Sequence, residues 1–239
     1  MTISILEKNK CNGCGACAQI CPHQCISMQE DFEGFLYPQI DNQKCIHCNL
    51  CDKVCPELHP FNKQEPLDCL AAKNNDTIVK LESSSGGLFS ALAEFIISKG
   101  GIVFGARFDN NWNVIMDYTN NKNDLWQYRG SKYVKCDVKQ TYYQTKLFLE
   151  NNLWVLYTGS SCQIAGLKRF LKKDYDKLLA VDYLCHGAPS PLLWRKYLLQ
   201  ITDGNISKIK EINFRNKKRG WRLFSLTISS QKGNLIDTV

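Results

Sequence analysis

Apolar residues are grouped differently in the two parts of the chain. Early on they form short runs. Ile26-Ser27-Met28 and Phe35-Leu36-Tyr37-Pro38 flank Asp31-Phe32-Glu33-Gly34, which predicts a hairpin closed at a glycine turn. Leu58 to Pro66 carries two prolines among polar residues and reads as a linker. Beyond it, helical and strand patterns alternate. Leu88, Leu92, Phe95 and Ile96 fall on one helical face, and Gly100-Gly101 end that helix. Ile102 to Phe108 reads as a buried strand, Val138 to Glu150 as a helix, and Leu153 to Tyr157 as a strand leading into a Thr158 to Ser161 turn. Ile164, Leu167, Phe170 and Leu171 mark the next helix, and Leu178 to Leu184 the next strand. Ser190 and Pro191 suit the N-cap and first turn of a helix to Ile201. Gln231 to Asn234 looks like a hairpin turn. The alternation predicts an α/β domain.

The cysteines decide what the first part is. Cys11, Cys14, Cys17 and Cys21 precede Pro22, and Cys45, Cys48, Cys51 and Cys55 precede Pro56. Both runs read C-x2-C-x2-C-x3-C-P, the bacterial ferredoxin spacing for [4Fe–4S] clusters. In that spacing three close thiolates wrap one cluster, and the fourth, expected to open a short helix, ligates the other. One site is therefore expected from Cys11, Cys14, Cys17 and Cys55, and the second from Cys45, Cys48, Cys51 and Cys21. Gly13 and Gly15 suit backbone passing close to sulfur. Zinc favours separated cysteine pairs, so two runs ending in x3-C-P fit it poorly. His47 reads as an exposed loop residue, and Cys25 as packing. The expected fold class is α+β: a two-cluster ferredoxin-like module over residues 1–60, then an α/β domain over 61–239.

Composition narrows the setting. The chain has 239 residues, and 44% are hydrophobic. No run approaches the roughly 18 apolar residues a membrane helix needs, and Met1 to Lys10 lacks an apolar signal core. Thirteen cysteines in tight runs suit metal in a reducing compartment. The expectation is a soluble, cytoplasmic protein with no membrane span. Charge is uneven. Residues 1–60 hold four Lys/Arg against seven Asp/Glu, while the whole chain is +7. Each cluster with four thiolates would add about −2 to the module. Lys208, Lys210, Arg215, Lys217, Lys218, Arg219 and Arg222 make the far end basic. They suit a docking face for an acidic redox partner better than a nucleic acid, despite the interleaved Phe214 and Trp221.

Ser83 to Gly87 and Thr158 to Ser161 each open a predicted helix, where free N–H groups and the helix dipole favour phosphate. Neither matches G-x-G-x-x-G or a P-loop, and each also reads as an ordinary cap. Arg129-Gly130-Ser131-Lys132-Tyr133 could clamp a diphosphate or form a solvated turn. Cys162 begins a helix, and Cys185-His186 follows a strand; each cysteine alone reads equally as core.

The segments SSSGGLFSAL, YRGSKYV, TGSSCQIAGLKRFL and DYLCHGAPSPLLW, in this order behind the cysteine runs, resemble the coenzyme F420 hydrogenase/dehydrogenase beta-subunit family. The resemblance implies an iron–sulfur flavoprotein oxidoreductase. FAD would couple a two-electron substrate, F420 or another donor or acceptor, to one-electron transfer through the clusters and a redox partner or carrier. It implies FAD contacts at Ser84, Ser85, Gly86 and Gly87, at Arg129, Gly130, Ser131 and Lys132, and at Thr158, Gly159 and Ser160. It also suggests a third [4Fe–4S] cluster with Cys162 and Cys185 as ligands, its other ligands lying beyond this chain. Members run past Val239, so the chain reads as a C-terminally incomplete member. The competing reading is a non-catalytic subunit that delivers electrons to a separate enzyme.

Overall fold

A computed structural model describes residues 7–238. The protein is α+β: a ferredoxin-like module followed by an α/β domain built on a mixed sheet. In the module, β1 (Ile26–Glu30) and β2 (Leu36–Ile40) form an antiparallel hairpin, with Glu30 opposite Leu36. The Asp31 carboxylate accepts from Glu33 N and Phe35 N, at 3.1 and 2.9 Å, and fixes the turn. Gly34 takes φ +84° there, and a Cβ on it would lie 2.0 Å from Leu192 Cβ. Only glycine suits that turn and that contact.

Each cysteine run curls into a short helix, α1 (Ala16–Ile20) or α2 (Leu50–Lys53). The helix lies one step earlier than expected: α1 contains Cys17 and is closed by Cys21 at its C-cap, so the fourth cysteine ends the helix instead of opening it. The two loops share one backbone shape. Gly13 and Gly15 have φ of +60° and +76°, and His47 and Asn49, at the equivalent positions, have +55° and +59°. Asn and His tolerate the left-handed region better than most residues. The internal repeat is thus preserved in conformation where the residues differ.

The linker continues without regular structure to α3 (Thr77–Glu82), whose Asp76 N-cap accepts from Ile78 N and Val79 N at 2.8 and 3.0 Å. Next come α4 (Leu88–Ser98), β3 (Ile102–Phe108) and β4 (Val114–Thr119). Then follow α5 (Thr141–Glu150), β5 (Val155–Ser160), α6 (Ser161–Leu171), β6 (Leu178–Tyr183) and α7 (Pro191–Ile201). The sheet order is β4-β3-β5-β6, with β3, β5 and β6 parallel and β4 antiparallel at one edge. Strand β5 runs on through Thr158, Gly159 and Ser160, which sequence reasoning placed in a turn. Its register with β6 extends to Ser160 opposite Tyr183.

Alternate residues of the central strands feed opposite faces. Ile102, Phe104, Val155 and Tyr157 join a core with α5 and α6, whereas Val103 and Leu156 pack with Ala93 and Ile96 of α4. Both faces are covered, so these strands read as continuous apolar runs. Ala16 and Val54 of the module belong to the α5/α6 core. The C-terminal part adds a separate antiparallel sheet, β7 (Ile209–Asn216), β8 (Ser225–Ser230) and β9 (Leu235–Thr238). Ile209 and Ile228 pack with Trp194 and Leu198 of α7. The α/β pattern alone did not announce this sheet.

Candidate iron–sulfur and cofactor sites

The eight cysteines of the two runs fall into two groups. Cys21, Cys45, Cys48 and Cys51 line one cavity together with His23, Cys25, Ile26, Ile46 and Leu50. Cys11, Cys14, Cys17 and Cys55 are neighbours in a second group. Burial raises the Cys11 and Cys14 thiol pKa values, that of Cys14 to about 12, and the charges of the other thiols in the group add to the rise. Cys17 is raised further for the same reasons. Thiols so disfavoured as free thiolates lie where a cation would be the natural counter-charge. Each group offers four sulfur donors, the set a [4Fe–4S] cluster takes. Gly13 N also donates to Cys11 Sγ at 3.4 Å, the N–H···S contact that tunes such a centre. His47 is exposed. Cys25 is buried against Cys21, with 3.3 Å between the sulfurs.

The serine- and glycine-rich segments converge in part. Ser131 N donates to Ser84 Oγ at 2.6 Å. Arg129 bonds Ser90 Oγ at 2.9 Å and pairs with Glu82 at 2.6 Å. Residues 82–90 and 129–132 are therefore in direct contact. Gly87 is the left-handed N-cap of α4, and Gly86 packs closely over Ala72 and Lys73. Gly105 of β3 separates Tyr128 from Thr158, each within 3.3 Å of where its Cβ would lie. Thr158 donates to Phe104 O at 3.0 Å. Ser160 and Gln163 form a reciprocal capping box, so part of the α6 N-terminus is already satisfied from within.

Lys132 is a half-buried cation of this region. Its Nζ donates to Gln127 O and Arg129 O at 2.8 and 2.9 Å. Desolvation lowers its pKa to about 7. Among the described residues it has no carboxylate partner. Next to it Gly130 has φ +76° and open space where a Cβ would stand. The folded pKa is below the ordinary 10.5, so between about 7 and 10.5 the unfolded chain holds a proton that the native chain has lost. Stability therefore gains from this group as pH rises through that window. In cofactor-free protein, the stability of wild type relative to Lys132→Met, from urea unfolding at about pH 7 and about pH 9.5, should rise with pH; the comparison cancels the opposing contribution of the buried thiols.

Two further residues belong here by position. Lys217, notable in the sequence only for charge, donates to Ser83 O, and its Nζ lies 3.4 Å from the Trp221 ring centre. Phe214 packs among Phe108, Tyr133 and Trp194. Cys162 lies 3.2 Å from Ser160 Oγ and 3.8 Å from Lys135 Nζ. Cys185 is exposed beyond β6, and Cys136, Cys162 and Cys185 all lie close enough for their charges to reach Tyr183.

Comparison with known families finds two matches. Residues 10–58 match the 4Fe-4S dicluster domain. Residues 153–235 match the model for the C terminus of the coenzyme F420 hydrogenase/dehydrogenase beta subunit. That segment is therefore similar to the C-terminal part of the F420 hydrogenase/dehydrogenase beta subunit. It contains the TGSSCQIAGLKRFL and DYLCHGAPSPLLW segments of the beta-subunit resemblance. A solved structure of the F420-reducing [NiFe] hydrogenase complex from Methanosarcina barkeri is similar at 17% identity and a TM-score of 0.49. The match covers 70% of this chain and 58% of that one. This chain thus spans less than two thirds of that relative. No curated protein matches. The chain thus joins a segment similar to a 4Fe-4S dicluster domain to one similar to the C terminus of that beta subunit. Among the described residues no helix is long and apolar enough to cross a membrane.

Proposed function

We propose that this protein is a flavin-dependent oxidoreductase of the cytoplasm. It would exchange two electrons with a small substrate such as F420, and single electrons with a redox partner through two [4Fe–4S] clusters. Cys11, Cys14, Cys17 and Cys55 would hold one cluster, and Cys21, Cys45, Cys48 and Cys51 the other. A bound flavin supplies the junction between two-electron and one-electron exchange.

The observation that carries the flavin reading is the half-buried Lys132 amine, which among the described residues bonds carbonyls and no carboxylate, near the open backbone of Gly130. A buried cation without a carboxylate is costly unless an anion joins it, and a flavin dinucleotide brings anionic phosphates. Arg129, Gly130, Ser131 and Lys132 would form one wall, with Ser84, Ser85, Gly86 and Gly87 of the adjoining helix entry. Thr158 borders this wall across Gly105, and with Gly159 and Ser160 it would take a lesser share. Thr158 and Ser160 already spend polar groups on Phe104 and Gln163. Cys162 and Cys185 remain our candidates for a third cluster completed by ligands from outside this chain.

Titrating the cluster-loaded chain with FAD, followed by flavin fluorescence, tests the reading. One FAD per chain is expected, with affinity reduced about tenfold or more by Lys132→Met, because a charge-assisted contact is lost. No flavin binding with both clusters in place would instead favour a non-catalytic electron-transfer subunit.

A further inference from the structure

The two cysteine groups are not equivalent in place. The Cys11 group is built into the larger domain. Tyr142 lies in the α5/α6 core, and its hydroxyl contacts Cys14 O at 2.9 Å and Gln163 O at 3.0 Å. Gln19 Oε1 accepts from Tyr142 N at 2.9 Å. A Cβ on Gly166 of α6 would lie 3.1 Å from Cys14 Sγ. Lys135 Nζ donates to Asn12 O at 2.6 Å, inside the Cys11–Cys14 loop, and stands 3.8 Å from Cys162 Sγ. Lys135 is three residues beyond Lys132, on the same segment as the proposed flavin wall. By contrast, the cavity of the Cys45 group is walled by module residues throughout. Cys48 is exposed and Ile46 is 60% exposed beside it.

We propose that the two sites work in a fixed order, with Lys135 as the positioning residue of the inner one. The group of Cys11, Cys14, Cys17 and Cys55 is the inner station, facing the flavin domain. The group of Cys21, Cys45, Cys48 and Cys51 is the outer station, where a one-electron carrier protein meets the chain. The order rests on the cluster and flavin reading above. Each passage moves one electron and needs no proton; two passages match one two-electron exchange, in either direction. Lys135 ties the inner loop to the flavin segment and puts a positive charge beside it, partly opposed by Glu57, whose carboxylate accepts from Asn12 at 2.5 Å. A nearby cation favours the more negative, reduced state of such a centre and raises its potential.

Redox titration of the cluster-loaded full chain, with low-temperature EPR resolving the two signals, tests the order. Lys135→Met should move one midpoint downward and leave the other unchanged, and Lys135→Arg should restore most of the shift. The signal that moves should be the one that survives in Cys48→Ser. In wild type, stepwise oxidative loss of iron with iodoacetamide present should alkylate Cys21, Cys45, Cys48 and Cys51 before the other four. This second measurement decides the matter even if the lysine variant does not fold. Reversed or simultaneous alkylation, or a Lys135→Met shift in both signals or neither, overturns the order. A chain that never takes up two clusters would instead refute the cluster reading beneath it.

Discussion

Cys55→Ser and Cys14→Ser are expected to lose the same cluster, and Cys21→Ser and Cys48→Ser the other, each variant keeping about four irons per chain. The pairing crosses the sequence. Cys55 lies in the second run, yet its neighbours are Cys11, Cys14 and Cys17. Cys21 closes α1 in the first run, yet it lines the cavity of Cys45, Cys48 and Cys51. Short helices produce the crossing by carrying each fourth cysteine away from its own loop. Iron analysis with EPR of the reduced variants measures it. If Cys55→Ser and Cys48→Ser extinguish the same signal, each run serves its own cluster and the assignment fails. Cys25→Ala gives the contrast: Cys25 lies 3.3 Å from Cys21 but outside both spacings, so both clusters should persist.

Gly166→Val is expected to lower the midpoint of thermal unfolding and to disturb the Cys11 cluster in particular. Gly166 sits in α6 where α1 and α5 meet it. A Cβ there would lie 3.0 Å from Tyr142 Oη, and 3.1 and 3.2 Å from Cys14 Sγ and Cβ. A branched side chain has no room, and overpacking of this kind typically costs about 1–3 kcal/mol. At roughly 2 kcal/mol, a chain of this size should melt about 4–8 °C lower. Helix propensity works the other way, since glycine inside a helix is about 1 kcal/mol worse than alanine. Gly166→Ala should therefore fall between wild type and valine. Thermal scans followed by circular dichroism, with visible absorbance reporting the clusters, separate these outcomes. An unchanged midpoint with both clusters intact in Gly166→Val would mean that the module is not packed on α6 as described.

Much of the local structure was legible because its signals are local. Ser190 does cap α7 at Pro191, accepting from Leu193 N at 3.1 Å. Gly100 follows α4 with φ +71°. The β1–β2 hairpin closes at Gly34. Strand β4 was passed over although Val114 and Met116 alternate as buried positions behind an Asp109 turn. Six residues after a polar turn carry too little periodicity to stand out. The β8–β9 hairpin was legible at its Gln231 to Asn234 turn, but β7 was not: it is bulged against β8, which breaks the period of two. Lys217 was read as surface charge because nothing in its neighbours along the chain reveals that it reaches Ser83.

The sequence alone determined the chemistry of the module. Cysteine spacing fixes how many thiols a loop can turn toward one centre, and that constraint is local and covalent. The sequence also marked the helix entries and the strand-rich alternation of the larger domain. Only the tertiary structure decided which segments meet. It joined Ser84 to Ser131 across 47 positions, left Lys132 half-buried without a carboxylate among the described residues, and brought Cys14 against Gly166. Such contacts depend on the packing of whole helices and strands, where burial and close approach are set by residues far apart in the chain. For that reason the cysteine runs could be read directly, while which group faces the larger domain could not.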